Sequence, residues 1–283
     1  GQVEPDLHLV ANLLTLNSVI PARTRQTARQ VVRRVVEELE KRLRHPTQQA
    51  VRGALQRAQR TSRPRPHEID WDRTIRKNLR NYSPVHKSVI AERVVGYARR
   101  RSALRDIVLC IDQSGSMASS VVYASIFGAV LASLRSVSLR FVVFDTNVVD
   151  LSELVRDPVE LLFGTQLGGG TDIAQALTYC QQIVARPAQT ILVLISDPFE
   201  GGNAERMLLR AAELKQAGVH VVCLLALNDQ GAPSYDHEHA QAFAELGIPA
   251  FACTPDLFPA LMAAAIMRQD LAGWASRHDI ALG

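Results

Sequence analysis

Three short polar segments supply the residue types that bind hard metal cations. They are Asp112, Ser114 and Ser116 in "DQSGS", Thr171 in "GGGTD", and Asp197 in "LISD". Carboxylate and hydroxyl oxygens suit Mg²⁺, with Mn²⁺ and Ca²⁺ as alternatives, better than zinc or copper. Two carboxylates and three neutral hydroxyls leave Mg²⁺ incompletely coordinated, so a further ligand must complete the shell. The favoured additional ligand is an anion, most simply an Asp or Glu carboxylate of a partner protein.

Other functions fit these segments less well. Ser and Asp at a strand-to-helix turn also serve as helix caps. A nucleophile elbow needs glycines two residues before and after the serine, where Ser114 has Asp112 and Ser116. Neither a Gly-Lys-Ser/Thr nor a Gly-x-Gly-x-x-Gly pattern is found, which disfavours P-loop and dinucleotide binding. A metal-dependent hydrolase would have only Glu200 as a base, so we expect no catalytic residues and no enzymatic activity.

The elements that position these segments follow an alternating pattern of apolar runs and helical stretches. Strands are predicted over residues 106–112, 139–145, 190–197, 219–227 and 248–254, with a weaker one over 147–151. Helices are predicted over residues 119–135, 172–185, 203–217 and 237–246. This order predicts an α/β fold with a Rossmann-like, doubly wound and mostly parallel sheet. Ligands bind such sheets beyond the carboxyl ends of the strands, where the polar segments lie.

The charge of the chain is divided unevenly. Residues 1–106 hold 23 Lys and Arg against 10 Asp and Glu, whereas the remainder holds 9 against 18. We predict a helical basic arm over 1–60, an extended connector over 61–103, the sheet domain over 104–270 and a C-terminal tail over 271–283. Pro46 predicts the start of a second helix in the arm. The arm either packs on the acidic domain or binds an acidic partner or nucleic acid.

Further features bear on nucleic acids, membranes and the compartment. The arm interleaves arginines with an apolar stripe and has almost no aromatic residues, which argues against base stacking. The longest weakly polar run, 121–134, is too short to span a bilayer. Four cysteines without a CxxC pair predict reduced core thiols in a cytoplasmic protein. "YDHEHA" at 235–240 is interpreted as a solvated helix start, and Trp71, Ile75 and Trp274 as packing anchors.

The three polar segments together resemble the metal-ion-dependent adhesion site (MIDAS) of von Willebrand factor A (VWA) domains in order, spacing and placement. The chain is more narrowly similar to bacterial VWA proteins of the CoxE-like group, in which a basic helical region precedes the VWA domain. This resemblance implies a MoxR-type AAA+ ATPase as partner and a chaperone-like or cofactor-insertion activity.

The resemblance also implies roles for single residues. Ser114 and Ser116 would coordinate the ion directly, and Asp112 and Asp197 directly or through water. Thr171 would bind directly only when a ligand is engaged, and the glycine-rich loop 166–172 would move on engagement. One departure from the family pattern is that Pro198-Phe199-Glu200 follows Asp197, where many members have glycine.

Overall fold

The structure is a computed structural model, and structural statements refer to the residues it describes. These are 7–16, 22–58, 60–61, 64, 66–84, 86–97, 105–165, 169–227 and 235–280.

A six-stranded sheet forms the centre of the molecule. Its strands are β1 (Arg105–Asp112), β2 (Val137–Phe144), β3 (Val148–Asp150), β4 (Thr190–Ile195), β5 (His220–Leu227) and β6 (Ala250–Cys253). The order is β6-β5-β4-β1-β2-β3, and β3 is antiparallel to its neighbour while all other pairs are parallel. The predicted α/β fold is thus confirmed, and the weaker strand is the antiparallel edge. Continuous apolar runs form these strands because both faces of the sheet are covered.

Helices cover the sheet on both faces. The described residues form α1 (Leu7–Thr15), α2 (Ala22–Ala58), α3 (Trp71–Lys77), α4 (Ala118–Ala132), α5 (Pro158–Gly164), α6 (Ile173–Ile183), α7 (Ala204–Gln216), α8 (His237–Glu245), α9 (Phe258–Ile266) and α10 (Leu271–Ser276). All of these except α3 contribute side chains to the two cores that flank the sheet. Side chains alternate along each strand, so Leu109 faces the core that contains α2, α4 and α9, and Cys110 faces the core beneath α6 and α7. All four cysteines are free and buried, as predicted.

The long helix α2 packs on the sheet domain and shares its core. Its apolar stripe, which includes Val36, Leu39 and Leu43, is buried in the same cluster as α4 and α9. Ion pairs join Arg29 to Glu160 at 3.2 Å and Arg42 to Asp256 at 3.0 Å. The sequence left open whether the arm packs on the domain, and in the structure it does so through this stripe.

The prediction that Pro46 begins a second helix is wrong. Residues 22–58 form one helix that continues through Pro46. Proline removes one backbone hydrogen bond from a helix interior. Here buried residues on both sides of the proline, including Leu43 and Val51, hold the helix to the core.

Residues in the predicted connector and tail form additional elements, although the predicted domain boundaries themselves stay a prediction. Buried Thr74 and Asn78 hydrogen-bond to the backbone of residues 93 and 95. Trp71 and Ile75 are 58% and 45% exposed, so their interpretation as packing anchors is wrong. Trp274 in α10 is buried against Phe251, with ring centroids 6.0 Å apart, and is the anchor that was predicted.

One stretch of the described residues is long and apolar enough to cross a membrane by length and composition. It runs over Gly115–Ala132, which is 18 residues, and 78% of it is buried inside the protein. The sequence-based expectation of a run too short to span was therefore wrong in its bounds. Most of this stretch is α4, which is apolar on every side and lies between the sheet and α2. This position explains why the stretch is buried.

Candidate metal centre

Asp112 lies at the carboxyl end of the central strand β1 and is fully buried. Both of its carboxylate oxygens accept hydrogen bonds. The Ser114 backbone N–H donates to Oδ1 at 2.8 Å, and the Ser196 hydroxyl donates to Oδ2 at 2.8 Å. The carboxylate orientation is therefore held by groups from two adjacent strand ends. Sequence reasoning missed Ser196, although its position directly before Asp197 at the end of β4 was the available signal.

Hydroxyl groups connect the first polar segment to Asp197. The Ser116 hydroxyl donates to Asp197 Oδ2 at 2.6 Å and lies 3.2 Å from the Ser114 hydroxyl. Asp197 is only 6% exposed, whereas Ser116 is exposed. Four of the five predicted ligands, Asp112, Ser114, Ser116 and Asp197, are thus gathered at one edge of the sheet, and the group opens to solvent at Ser116.

Thr171 is brought to this edge by a contact between two loops. The Gly201 N–H donates to the Thr171 carbonyl at 2.9 Å, and Thr171 is buried. A Cβ atom at Gly201 would lie 2.8 Å from that carbonyl oxygen, so the approach requires glycine. Asp172 caps α6 by accepting from the Gln175 N–H, as predicted. Residues 166–168 of the predicted mobile loop lie outside the described residues.

The two buried carboxylates make this edge strongly electronegative. The pKa of Asp112 is raised to about 6, chiefly by burial and also by the charge of Asp197, although hydrogen bonds from Ser114 and Ser196 oppose the rise. Within the described ranges, no ion pair involves Asp112 or Asp197. Burying a carboxylate without a counter-charge is costly, so the donor set fits a bound cation.

The candidate ligands do not form a cluster of the side chains that most often bind metals. In the described part of the chain, no group of three or more His, Cys, Asp or Glu side chains could hold a metal ion. The predicted ligands include only two carboxylates, and the other three are hydroxyls. The assignment of the five residues as metal ligands stays a prediction, for which the buried acidic pair is the physical support.

Glu200 connects the loop that follows Asp197 to the loop that contains Thr171. Its carboxylate accepts from the Ile173 N–H at 2.8 Å and from the Gly202 N–H at 3.0 Å. Burial raises the pKa of Glu200, and these backbone bonds oppose the rise. Sequence reasoning had considered Glu200 only as a base for a hydrolase, but both of its oxygens bind backbone groups. In this chain the Pro198-Phe199-Glu200 segment therefore ties the Asp197 loop to the Thr171 loop.

A second contact holds the Asp197 turn from the side of α8. The Asp236 N–H donates to the Asp197 carbonyl at 3.0 Å, and the Asp236 side chain caps α8 at His239 N. The His239 Nδ1 atom lies 3.0 Å from the Pro198 carbonyl. The "YDHEHA" segment is a helix start, as predicted, and it also supports the backbone of a predicted ligand.

Replacing Glu200 with alanine is expected to weaken Mg²⁺ binding about tenfold and to cost about 1–2 kcal/mol of unfolding free energy, because two backbone donors lose their charged acceptor. Calorimetric Mg²⁺ titration and chemical denaturation measure the two effects. Glu205→Ala is the control, since Glu205 is exposed in the first turn of α7. An unchanged Mg²⁺ affinity in Glu200→Ala would contradict this role of Glu200.

Comparisons with known proteins agree with this architecture. The family described as "VWA domain containing CoxE-like protein" matches residues 39–262. The chain is 36% identical over 256 residues to the "Uncharacterized protein YehP" of Escherichia coli (strain K12), covering 90% of this chain and 68% of that protein.

Two solved structures are similar to the chain at low identity. A von Willebrand factor type A protein from Catenulispora acidiphila has a TM-score of 0.44 at 14% identity, covering 57% of this chain and 42% of that chain. An aerotolerance-related membrane protein from Bacteroides fragilis NCTC 9343 has a TM-score of 0.45 at 14% identity, covering 58% of this chain and 100% of that chain.

The chain therefore belongs to the VWA CoxE-like family. Membership of this family suggests an accessory or adaptor role rather than fixing a partner or a metal.

Proposed function

We propose that this protein is a metal-dependent protein-binding module that acts as an adaptor to a MoxR-type AAA+ ATPase in chaperone-like or cofactor-insertion activity. The observation that carries the proposal is the pair of buried carboxylates, Asp112 and Asp197. They are linked through the Ser116 hydroxyl, they have no cationic partner among the described residues, and they adjoin solvent. A site built to accept a cation at a surface suits regulated binding of another protein.

The chain's own residues form and orient the proposed centre. Asp112, Ser114, Ser116, Thr171 and Asp197 would hold Mg²⁺, with Mn²⁺ or Ca²⁺ as alternatives. When bound, the ion would supply a positive centre for an Asp or Glu carboxylate of the partner. Ser196 orients the Asp112 carboxylate, and Glu200 holds the Thr171 loop against the Asp197 loop. Phe199, which is 47% exposed, offers the partner an apolar contact beside the carboxylate.

We further propose that the module is non-enzymatic and cytoplasmic. The support for the first point is chemical: Glu200 is the only base that the sequence suggested, and its oxygens accept backbone hydrogen bonds. The support for the second is the set of four free, buried thiols.

Nucleic-acid binding by the basic arm is the less favoured alternative. The apolar stripe of α2 packs into the core, so only the outer face of the helix could contact phosphates. Such binding would weaken steeply with salt and would not respond to chelation. A filter-binding assay over 50–300 mM salt, with and without EDTA, separates the two functions.

Mg²⁺ binding is expected to weaken as the pH falls through about 6, because the Asp112 carboxylate must be ionised to bind a cation and its pKa is raised to about 6. At pH 5 the affinity should be roughly tenfold lower than at pH 8. Binding near pH 6 should release about half a proton, which calorimetry in buffers of different ionisation enthalpy measures. A constant affinity and no proton release over this range would show that Asp112 is not a ligand.

The direct test of the proposed centre is a Mg²⁺ titration of the purified protein followed by thermal unfolding. The wild type should gain several degrees of Tm at millimolar Mg²⁺. Ser116→Ala should lose most of this gain, whereas the control Ser138→Ala should retain it, because Ser138 is exposed at the opposite end of the sheet. Equal responses of both variants would refute the assignment.

A further inference from the structure

The amino-terminal end of the sheet, opposite the candidate metal centre, carries basic side chains on one face. Arg105 begins β1 and His220 begins β5. Ile107 and Val222, two residues further along these strands, both face the core that contains α9. Because side chains alternate along a strand, Arg105 and His220 lie on that same face. Only β4 separates the two strands, so these side chains line one short stretch of this end.

Arg268 lies across this stretch from the end of α9. Its Nη2 atom donates to the Ala188 carbonyl at 2.6 Å and to the Gly218 carbonyl at 3.3 Å. Ala188 and Gly218 each lie two residues before a strand, β4 and β5 respectively. The guanidinium of Arg268 is therefore held directly over the amino ends of these strands.

The backbone conformation at Arg268 is strained for a residue that carries a Cβ atom. Helices α7, α8 and α9 end in the same type of cap, and the residue with positive φ is Gly218 in the first and Gly247 in the second. In the third it is Arg268, with φ of 52°. Glycine is the favoured residue at this position because a Cβ atom is strained there. An arginine in place of glycine therefore points to a use for its side chain.

In the residues that the structure describes, no carboxylate forms an ion pair with Arg105 or Arg268. Burial lowers the pKa of Arg105, and the charge of Arg268 lowers it further. The adjacent carboxylate, Asp106, is engaged by Arg186 through bonds of 2.9 and 2.5 Å. The His220 Nε2 atom is buried and has no hydrogen-bond partner in the part of the chain that the structure describes. Burial, then Arg268 and Arg105, lower the pKa of His220 to about 4, so the ring is neutral at pH 7.

We propose that Arg105, His220 and Arg268 form an oxyanion-binding site that takes a phosphate group. The Arg105 guanidinium presents forked N–H donors that match phosphate oxygens, and Arg268 adds the Nη1 and Nε groups that do not bond Ala188 or Gly218. The neutral imidazole can add one more donor. A bound dianion would relieve the repulsion between Arg105 and Arg268 and would give His220 Nε2 a partner. This site lies at the opposite end of the strands from the candidate metal centre and does not depend on it.

The test is thermal unfolding with inorganic phosphate, measured in EDTA and at constant ionic strength against chloride. The wild type is expected to gain several degrees of Tm at 10 mM phosphate, because a ligand that binds only the folded state raises Tm. Arg268→Gly should fold, since glycine suits the positive φ, and should lose the phosphate response. Arg105→Gln should lose it as well. The control Arg206→Gln removes the same charge at an exposed position of α7 and should respond like the wild type.

Three results would overturn the proposal. They are no phosphate-specific gain in the wild type, an undiminished gain in both Arg268→Gly and Arg105→Gln, or an equal loss in Arg206→Gln, which would indicate a general charge effect. A parallel titration with ADP distinguishes the source of the phosphate group. A larger gain with ADP than with inorganic phosphate indicates a nucleotide, and an equal or smaller gain indicates free phosphate.

Discussion

Replacing Asp112 with asparagine is expected to stabilise the metal-free protein while abolishing its response to Mg²⁺. Burial raises the pKa of Asp112 to about 6, so above that pH the folded state bears the cost of an ionised, buried carboxylate. The amide removes the charge and retains the shape. At pH 8 the free energy of unfolding should rise by about 1–2 kcal/mol.

The pH dependence of this gain provides its own control. The ordinary pKa of this carboxyl group is 3.8, so the wild type loses stability as the pH rises from about 4 to about 6. The advantage of Asp112→Asn should therefore be small below pH 4, about half of its full size at pH 5 and full at pH 8, as measured by urea denaturation with EDTA present. Addition of millimolar Mg²⁺ should stabilise the wild type and leave the variant unchanged. A variant that is less stable than the wild type at pH 8 in EDTA would contradict this account of the site.

The second large effect concerns the arm. Leu43→Ala is expected to lower the free energy of unfolding by about 2–5 kcal/mol, because Leu43 is buried in the core shared by α2, α4 and α9. A free or loosely attached arm would show almost no change. Lys41→Ala is the matched control, since Lys41 is exposed on the same helix and should change stability by less than about 0.5 kcal/mol. Equal, small effects of both substitutions would show that the arm does not contribute to the core.

The sheet could be predicted from the sequence because its strands are long, continuously apolar and regularly spaced by helices. Helices α5 and α9 were missed for the opposite reason. Pro158–Gly164 is short, and Phe258–Ile266 is apolar on every side because it is enclosed between α2 and the sheet, so neither shows an amphipathic period. The continuous helix through Pro46 depends on tertiary packing, which local sequence rules do not include.

The candidate site, too, could be predicted only in part, because some of its contacts depend on tertiary structure. The carboxylates and hydroxyls could be found because their types are specific and they follow predicted strand ends. The supporting groups could not, since the bonds from Ser196 to Asp112 and from Ile173 to Glu200 join residues 84 and 27 positions apart. Glu200 has a side chain that could act as a catalytic base, but its contacts are those of a residue that holds two loops together. Only the geometry distinguishes these two functions.

The most direct test of the central claim is the affinity of the purified protein for the MoxR-type ATPase of the same cell, measured with Mg²⁺ and with EDTA. We predict binding in Mg²⁺, a loss of at least tenfold in EDTA, and the same loss for Asp112→Asn in Mg²⁺, with Ser138→Ala unaffected. Binding of equal strength in EDTA, or by Asp112→Asn, would show that the adaptor does not use the candidate metal centre.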